Sequence, residues 1–321
     1  MLKSQGELSR RSGYAAPVMD HKAFVCSVPA NVLADLSRTE DAAGLRHLAM
    51  HLGLILALGL YVASGAPFWW LALLPLGIAI CFLFTLQHEA THKTPFATPW
   101  LNEWAGRLAG VPILQPFEWF RYFHLSHHKH TNDPARDPEL IAGAKPETWA
   151  SYVMHVSGLP FWWAMTRRIL ANASGAAPGA YSPERARRRL AREARWMLLA
   201  YALAAVSLLF TPLLFWVWIL PCLLGQPFLR LYLLAEHGRC AFVANMLQNT
   251  RTTYTNRLVR FLTWNMPYHV EHHTLPQVPF HKLPELHDRM QGWHQVTSDG
   301  YIAFTRDYAA SMQIRDQAAH E

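Results

Sequence analysis

The chain of 321 residues carries 18 histidines, and where they fall matters more than their number. Three short runs concentrate them: HEATH at 88–92, HLSHH at 124–128 and HVEHH at 269–273. On a helix, His88 and His92 stand about 40° and ~6 Å apart, so both rings share a face. His124, His127 and His128, like His269, His272 and His273, repeat at i, i+3 and i+4, again one face each. A lone pair at that spacing is usually solvated or locally hydrogen-bonded. Triples are less comfortable, because protonated neighbours repel. Metal binding removes the repulsion by holding every imidazole deprotonated. Eight such residues exceed the needs of one tetrahedral zinc site. His237, in LLAEHGRC, makes nine, enough for two ions with four or five nitrogen ligands each. Imidazole suits zinc, copper, iron and nickel alike, so residue type alone leaves the metal open.

The elements that must position these rings read as membrane helices. Hydrophobic residues make up 51% of the chain and charged ones 16%, which leans away from an ordinary soluble globule. The excess is blocky: Leu48 to Gln87 and Trp196 to Leu229 contain no Asp, Glu, Lys or Arg. A crossing needs about 20 apolar residues, so each block is read as a hairpin. Ser64-Gly65-Ala66-Pro67 and Thr211-Pro212 supply the turns. The expected spans are 47–64, 68–87, 194–210 and 213–236, the last completed by Arg230 reaching toward the headgroups. Residues 1–46 read as a cytoplasmic lead-in, 47–290 as the membrane domain and 291–321 as a cytoplasmic tail. Between His88 and Arg195 stand 14 Lys and Arg against nine Asp and Glu, which assigns this segment and both termini to the cytoplasm. All the histidine runs then lie in one layer at that side. The expected fold is therefore an all-α membrane protein, with four transmembrane helices in two hairpins under a cytoplasmic helical cap that holds a dimetal site. The net charge of +7 reads as a topology and headgroup signal; no nucleic-acid-binding module accompanies it. Cys26, Cys81, Cys222 and Cys240 are scattered and include no C-x-x-C pair, so neither a disulfide framework nor a thiolate site is expected. The segment from Thr148 to Leu170 reads as an amphipathic piece on the membrane surface.

The order H-x-x-x-H, H-x-x-H-H, H-x-x-H-H across two hydrophobic hairpins resembles the membrane fatty acid desaturase superfamily, which also includes hydroxylases and ketolases. The flanks THKTPF, HTNDPARDP and HHTLPQVPFHKLPELH resemble the acyl-lipid desaturase pattern. This resemblance implies a non-haem centre of two iron ions with O2 as co-substrate. It carries the ligand role onto His88, His92, His124, His127, His128, His269, His272 and His273, and onto His237 as the further ligand ahead of the third run. It makes Asn265, in TWNMPYH, a polar group beside one iron, and Asp137 and Glu271 supports behind the ligands. His47, His51, His155, His287 and His294 are left as ordinary. The third run begins with His269 where front-end desaturases usually have glutamine, and no H-P-G-G haem loop of cytochrome b5 appears. Electrons are therefore expected from a separate ferredoxin or cytochrome b5 type donor. The implied protein is a multi-pass enzyme of the membrane, the inner membrane if the source is bacterial, that desaturates an acyl chain on a lipid or thioester. The alternative is a hydroxylase of the same architecture acting on a lipid or something smaller. Trp69, Trp70, Trp100, Trp104, Trp162 and Trp163 are expected to form an interfacial belt, with some of them lining a substrate path. A metal transporter is disfavoured, because ligating groups are sparse inside the charge-free blocks.

Overall fold

The computed structural model describes residues 19–176 and 179–318. The parts of the expected cytoplasmic segments at 1–18 and 319–321 lie outside them. The described chain is helical apart from one short parallel pair, in which Thr252 and Thr253 meet Thr297 and Ser298.

The first apolar block folds as helix Asp41–Ser64, reversed at Gly65 in the left-handed conformation (φ 64°) that glycine adopts without penalty. It returns as helices Leu73–Cys81 and Leu83–His92, joined at Phe82. The second block gives helix Arg187–Ser207, a turn at Thr211-Pro212, a π-turn over Phe215–Ile219 and helix Leu220–His237. Among the described residues, three helical runs are long and apolar enough to cross a membrane: Ala30–Ser64, Trp69–His92 and Phe215–His237. The expected span at 194–210 falls on Arg187–Ser207, whose first half carries Arg187, Arg188, Arg189, Arg192, Glu193 and Arg195. Its second half is apolar and exposed, with Leu199, Leu203 and Val206 on the surface and Leu209 and Phe210 just beyond. Exposed apolar surface of that extent marks a contact with a membrane or a partner.

The two hairpins meet where Leu73–Cys81 packs along Leu220–His237. Two glycines permit that approach. A Cβ on Gly77 would lie 1.8 Å from the Pro221 carbonyl oxygen, and one on Gly225 would lie 2.2 Å from the Gly77 carbonyl carbon. Backbone therefore touches backbone, as in tightly packed membrane helices. The resulting core runs from Leu76 and Ile80 through Phe82 and Tyr232 to Met266, Val270 and Leu283. The histidine-bearing helices sit on its far end.

Between the hairpins, Pro99–Gly110 and Phe117–His130 cover the end of the first. The stretch expected as one surface piece is two helices, Trp149–Val156 and Leu159–Ala173, broken at Gly158 (φ 73°). Trp70, Trp100, Trp104 and Trp163 are exposed, as a belt requires. Trp69 instead packs edge-on against Trp216.

Candidate metal centre

Helix Leu83–His92 carries the first run and stops at Lys93, which is left-handed (φ 62°) and turns the chain away. Asn102 fixes the loop beyond, accepting from the Phe96 N–H and donating to its carbonyl at 2.8 Å. Helix Phe117–His130 carries the second run and ends just before Thr131 and the left-handed Asn132. The third run is the short helix His269–Thr274, closed ahead of Pro276. Tyr268 holds its N-cap position. Trp264 and Asn265 are both left-handed (φ 50° and 58°), because the chain reverses there between helix Arg257–Leu262 and the third run.

These elements turn nine imidazoles onto one buried spot. His88, His92, His124, His128 and His272 bring ligand nitrogens within 4.8 Å of one another, and His127, His237 and His273 do the same beside them. His269 joins the second group, its Nε2 3.2 Å from that of His237 and 3.1 Å from that of His273. The groups abut where the rings of His128 and His273 stack 4.0 Å apart.

The ring nitrogens meet one another. His92 and His124 approach to 2.9 Å between Nε2 atoms, His127 and His237 to 3.2 Å, and His128 and His272 to 3.2 Å. Both nitrogens of His88 are buried without a hydrogen-bond partner among the described residues. Several of the opposite nitrogens are engaged from behind. Asp137 lies 2.9 Å from His127 Nδ1, the Asn249 carbonyl 3.0 Å from His237 Nδ1, and Thr131 Oγ1 3.2 Å from His273 Nδ1. Such partners fix which nitrogen faces inward. Burial, then the neighbouring imidazoles, push His124, His128, His269, His272 and His273 well below the ordinary histidine range, so these rings are neutral. For His127 burial also acts downward, but Glu139 and Asp137 outweigh it and raise the ring. Neutral nitrogens gathered on one spot are what a divalent cation requires, and the donor set fits two of them.

Three carboxylates near the rings were not anticipated. Glu139 Oε1 lies 4.0 Å from His127 Nε2, and its Oε2 is paired with Lys145 at 3.2 Å. Glu236 Oε1 is 3.5 Å from His269 Nδ1. Glu89, fully buried inside the first run, has Oε1 3.8 Å from His272 Nδ1 while its other oxygen accepts from Thr94 and the Phe280 N–H. All three stand in or beside the quoted motifs, which was the available signal.

Two expected neighbours make contacts of their own. Asn265 donates its amide to the Phe280 carbonyl at 3.0 Å. Glu271 accepts from Thr252, His287 and His294, forming a buried cluster of its own. His287 and His294, read as ordinary, thus clamp the third run from outside. Their contacts are N–H to carboxylate hydrogen bonds, already satisfied, unlike the nitrogen-to-nitrogen contacts of the nine. His51 is ordinary as expected, with Nε2 2.9 Å from the Ala79 carbonyl and Nδ1 accepting from Trp264.

A fatty acid desaturase family model matches residues 45–298, all three runs and His237 included. The chain belongs to the fatty acid desaturase family. Among its relatives, an sn-1 oleoyl-lipid 12-desaturase of Synechocystis sp. is 32% identical over 93 residues, covering 27% of this chain and 26% of that one. A sphingolipid delta(4)-desaturase-like protein of Oryza sativa subsp. japonica is 27% identical over 235 residues, 67% of this chain and 64% of that one. An sn-1 acyl-lipid omega-3 desaturase (ferredoxin) of Nostoc sp. is 33% identical over 88 residues, 27% and 24%. The similarity to the Synechocystis and Nostoc desaturases thus spans under a third of their length. In this family member, the buried histidine groups form a centre suited to metal.

Proposed function

We propose that this desaturase family member is an O2-dependent oxidoreductase that introduces a double bond into the acyl chain of a lipid or thioester, using two iron ions held by the nine histidines. The observation that carries the reading is the convergence of nine imidazoles into two abutting groups of five and four. When bound, the reduced iron pair supplies the oxidising equivalents, drawn from O2 and two external electrons, that break an unactivated C–H bond. Removing two hydrogens with one O2, two electrons and two protons leaves an alkene and two waters.

The chain's own residues bind, orient and keep the centre dry. Phe120 stacks on His124 with ring centroids 5.4 Å apart, and Phe84 lies against Phe120 and His88. These rings give the centre an apolar wall against which a hydrocarbon can rest, and exclude water from it. An apolar cavity of about 330 Å³, lined by Leu114, Trp162, Tyr201, Trp218, Cys222 and Leu223, opens between the second hairpin and the cap. A hydrocarbon chain fits such a lining. Asp137 holds the His127 ring while accepting from the Asn132 and Glu139 N–H groups, so one carboxylate ties a ligand to the next helix start.

Four spans with the centre on the cytoplasmic side complete the reading, supported by the charge distribution and by the exposed apolar half of Arg187–Ser207. Electrons come from a separate donor, ferredoxin being named for the Nostoc relative. The test is product analysis by mass spectrometry of lipids from cells with and without the gene. Loss of two hydrogens supports desaturation, and gain of one oxygen supports the hydroxylase alternative. No altered lipid in the presence of donor and O2 defeats both.

A further inference from the structure

On the second hairpin, Gln226 and Arg230 are one helical turn apart and share a face. The sequence reading sends Arg230 to the headgroups. Instead its guanidinium lies over the Phe161 ring, 4.3 Å from the centroid, with Nε and Nη2 buried and without hydrogen-bond partners among the described residues. Gln226 is fully buried, and neither its Oε1 nor its Nε2 has a partner. Two more orphaned donors come from the facing helices, His155 Nε2 and Trp162 Nε1. Gly158, at the break between those helices, brings their backbone onto Gln226, where a Cβ would lie 2.4 Å from Cγ. His155 is neutral there, pushed down to about 4 by burial and then by the Arg230 charge beside it.

Buried guanidinium nitrogens without partners are costly unless an acceptor answers them, and the charges of Glu139 and Glu236 reach Arg230 without bonding those nitrogens. A buried amide with nothing bonded adds to the debt, and an intramembrane polar group is a functional site by default. The same helix face continues one turn back to Cys222, which with Trp162 lines the apolar cavity. Polar orphans thus adjoin a slot for hydrocarbon, the two halves of an amphiphile.

We infer that Arg230, Gln226, His155 and Trp162 form a binding site for the anionic head, carboxylate or phosphate, of an acyl-bearing lipid whose hydrocarbon enters the adjoining cavity. Arg230 presents a fork to the two oxygens of such a head, and the Gln226, His155 and Trp162 N–H groups donate to what remains. Arg230 stands seven residues before His237, about 10 Å along the helix, and Cys222 lies two turns further back, so the head sits between the centre and the cavity and the chain runs away from the centre. The site rests on the desaturase reading only for its membrane setting, and it holds a lipid beside the centre rather than the chain the centre oxidises. As a binding site it does not depend on turnover.

The experiment titrates purified, iron-loaded protein in neutral detergent with oleate, dioleoylphosphatidylglycerol and dioleoylphosphatidylcholine, with no reductant, so that failed catalysis cannot mimic failed binding. Wild-type protein is expected to prefer one or both anionic lipids over the zwitterionic one. Tighter oleate binding assigns a carboxylate head, and tighter phosphatidylglycerol binding a phosphate head. R230Q is expected to weaken the preferred lipid by at least about tenfold and leave phosphatidylcholine unchanged, with iron content and melting temperature as folding controls. R230K, which keeps the charge but loses the fork, should fall between. Equal affinity of wild type and R230Q for the anionic lipids overturns the proposal. So does wild-type protein that binds all three alike, which decides the matter even if R230Q does not fold.

Discussion

At the scale of single residues, the site depends on which nitrogen each imidazole turns inward. Asp137 is the clearest lever, because it fixes His127 and also accepts from two backbone N–H groups. Asp137→Asn should lower metal affinity by roughly 10- to 100-fold, read by competition with a chelator, while the protein still inserts in the membrane. His128→Ala should remove product altogether. His155 sets a pH dependence outside the centre. Its folded value is depressed from 6.5 to about 4, so below pH 6.5 the unfolded chain binds a proton that the folded one refuses. Stability from this group is present above 6.5 and lost as pH falls toward 4. H155Q should therefore melt with a shallower loss between pH 7 and pH 5 than wild type, and an identical slope would count against it. Eight of the nine converging imidazoles were legible because two triples and a pair at helical spacing have few other uses together, whereas His237 stands alone in its run. Glu139 and Glu236 were not, since their closeness to the rings comes from the way separate helices meet. The bond from the Asn265 amide to the Phe280 carbonyl was not legible, because it follows from a left-handed backbone that the sequence does not show.

At the scale of elements, the crossing of the two hairpins sets where His88 and His92 stand relative to His237. Gly77 and Gly225 make that crossing. Gly77→Ala forces the helices apart and should cost about 1–3 kcal/mol as overpacking, seen as a lower melting temperature together with partial loss of metal. Unchanged stability would show that the helices do not touch as described. Three of the four expected spans appear within long apolar helical runs, because charge-free blocks and turn residues mark them. The fourth was harder to delimit. Its helix begins at Arg187 among charges, since an α-helix continues across an interface that composition alone treats as a boundary. The clamp of Glu271 by His287 and His294 was equally hidden, because those histidines show no spacing relation to the third run.

For the whole molecule, the proposed orientation rests on charge, and one native residue can test it. Cys26 is exposed, while Cys81, Cys222 and Cys240 are buried. A membrane-impermeant maleimide should label Cys26 only from the cytoplasmic side, in inverted vesicles and not in right-side-out ones. Labelling from the opposite side would invert the topology and detach the centre from a cytoplasmic donor. The most direct measurement is the metal content of the purified protein and of two variants, one from each histidine group. Two irons per chain are predicted for wild type, with H272A and H237A each releasing metal. A single ion, a preference for zinc, or variants that keep both irons would contradict a pair of ions shared among nine imidazoles.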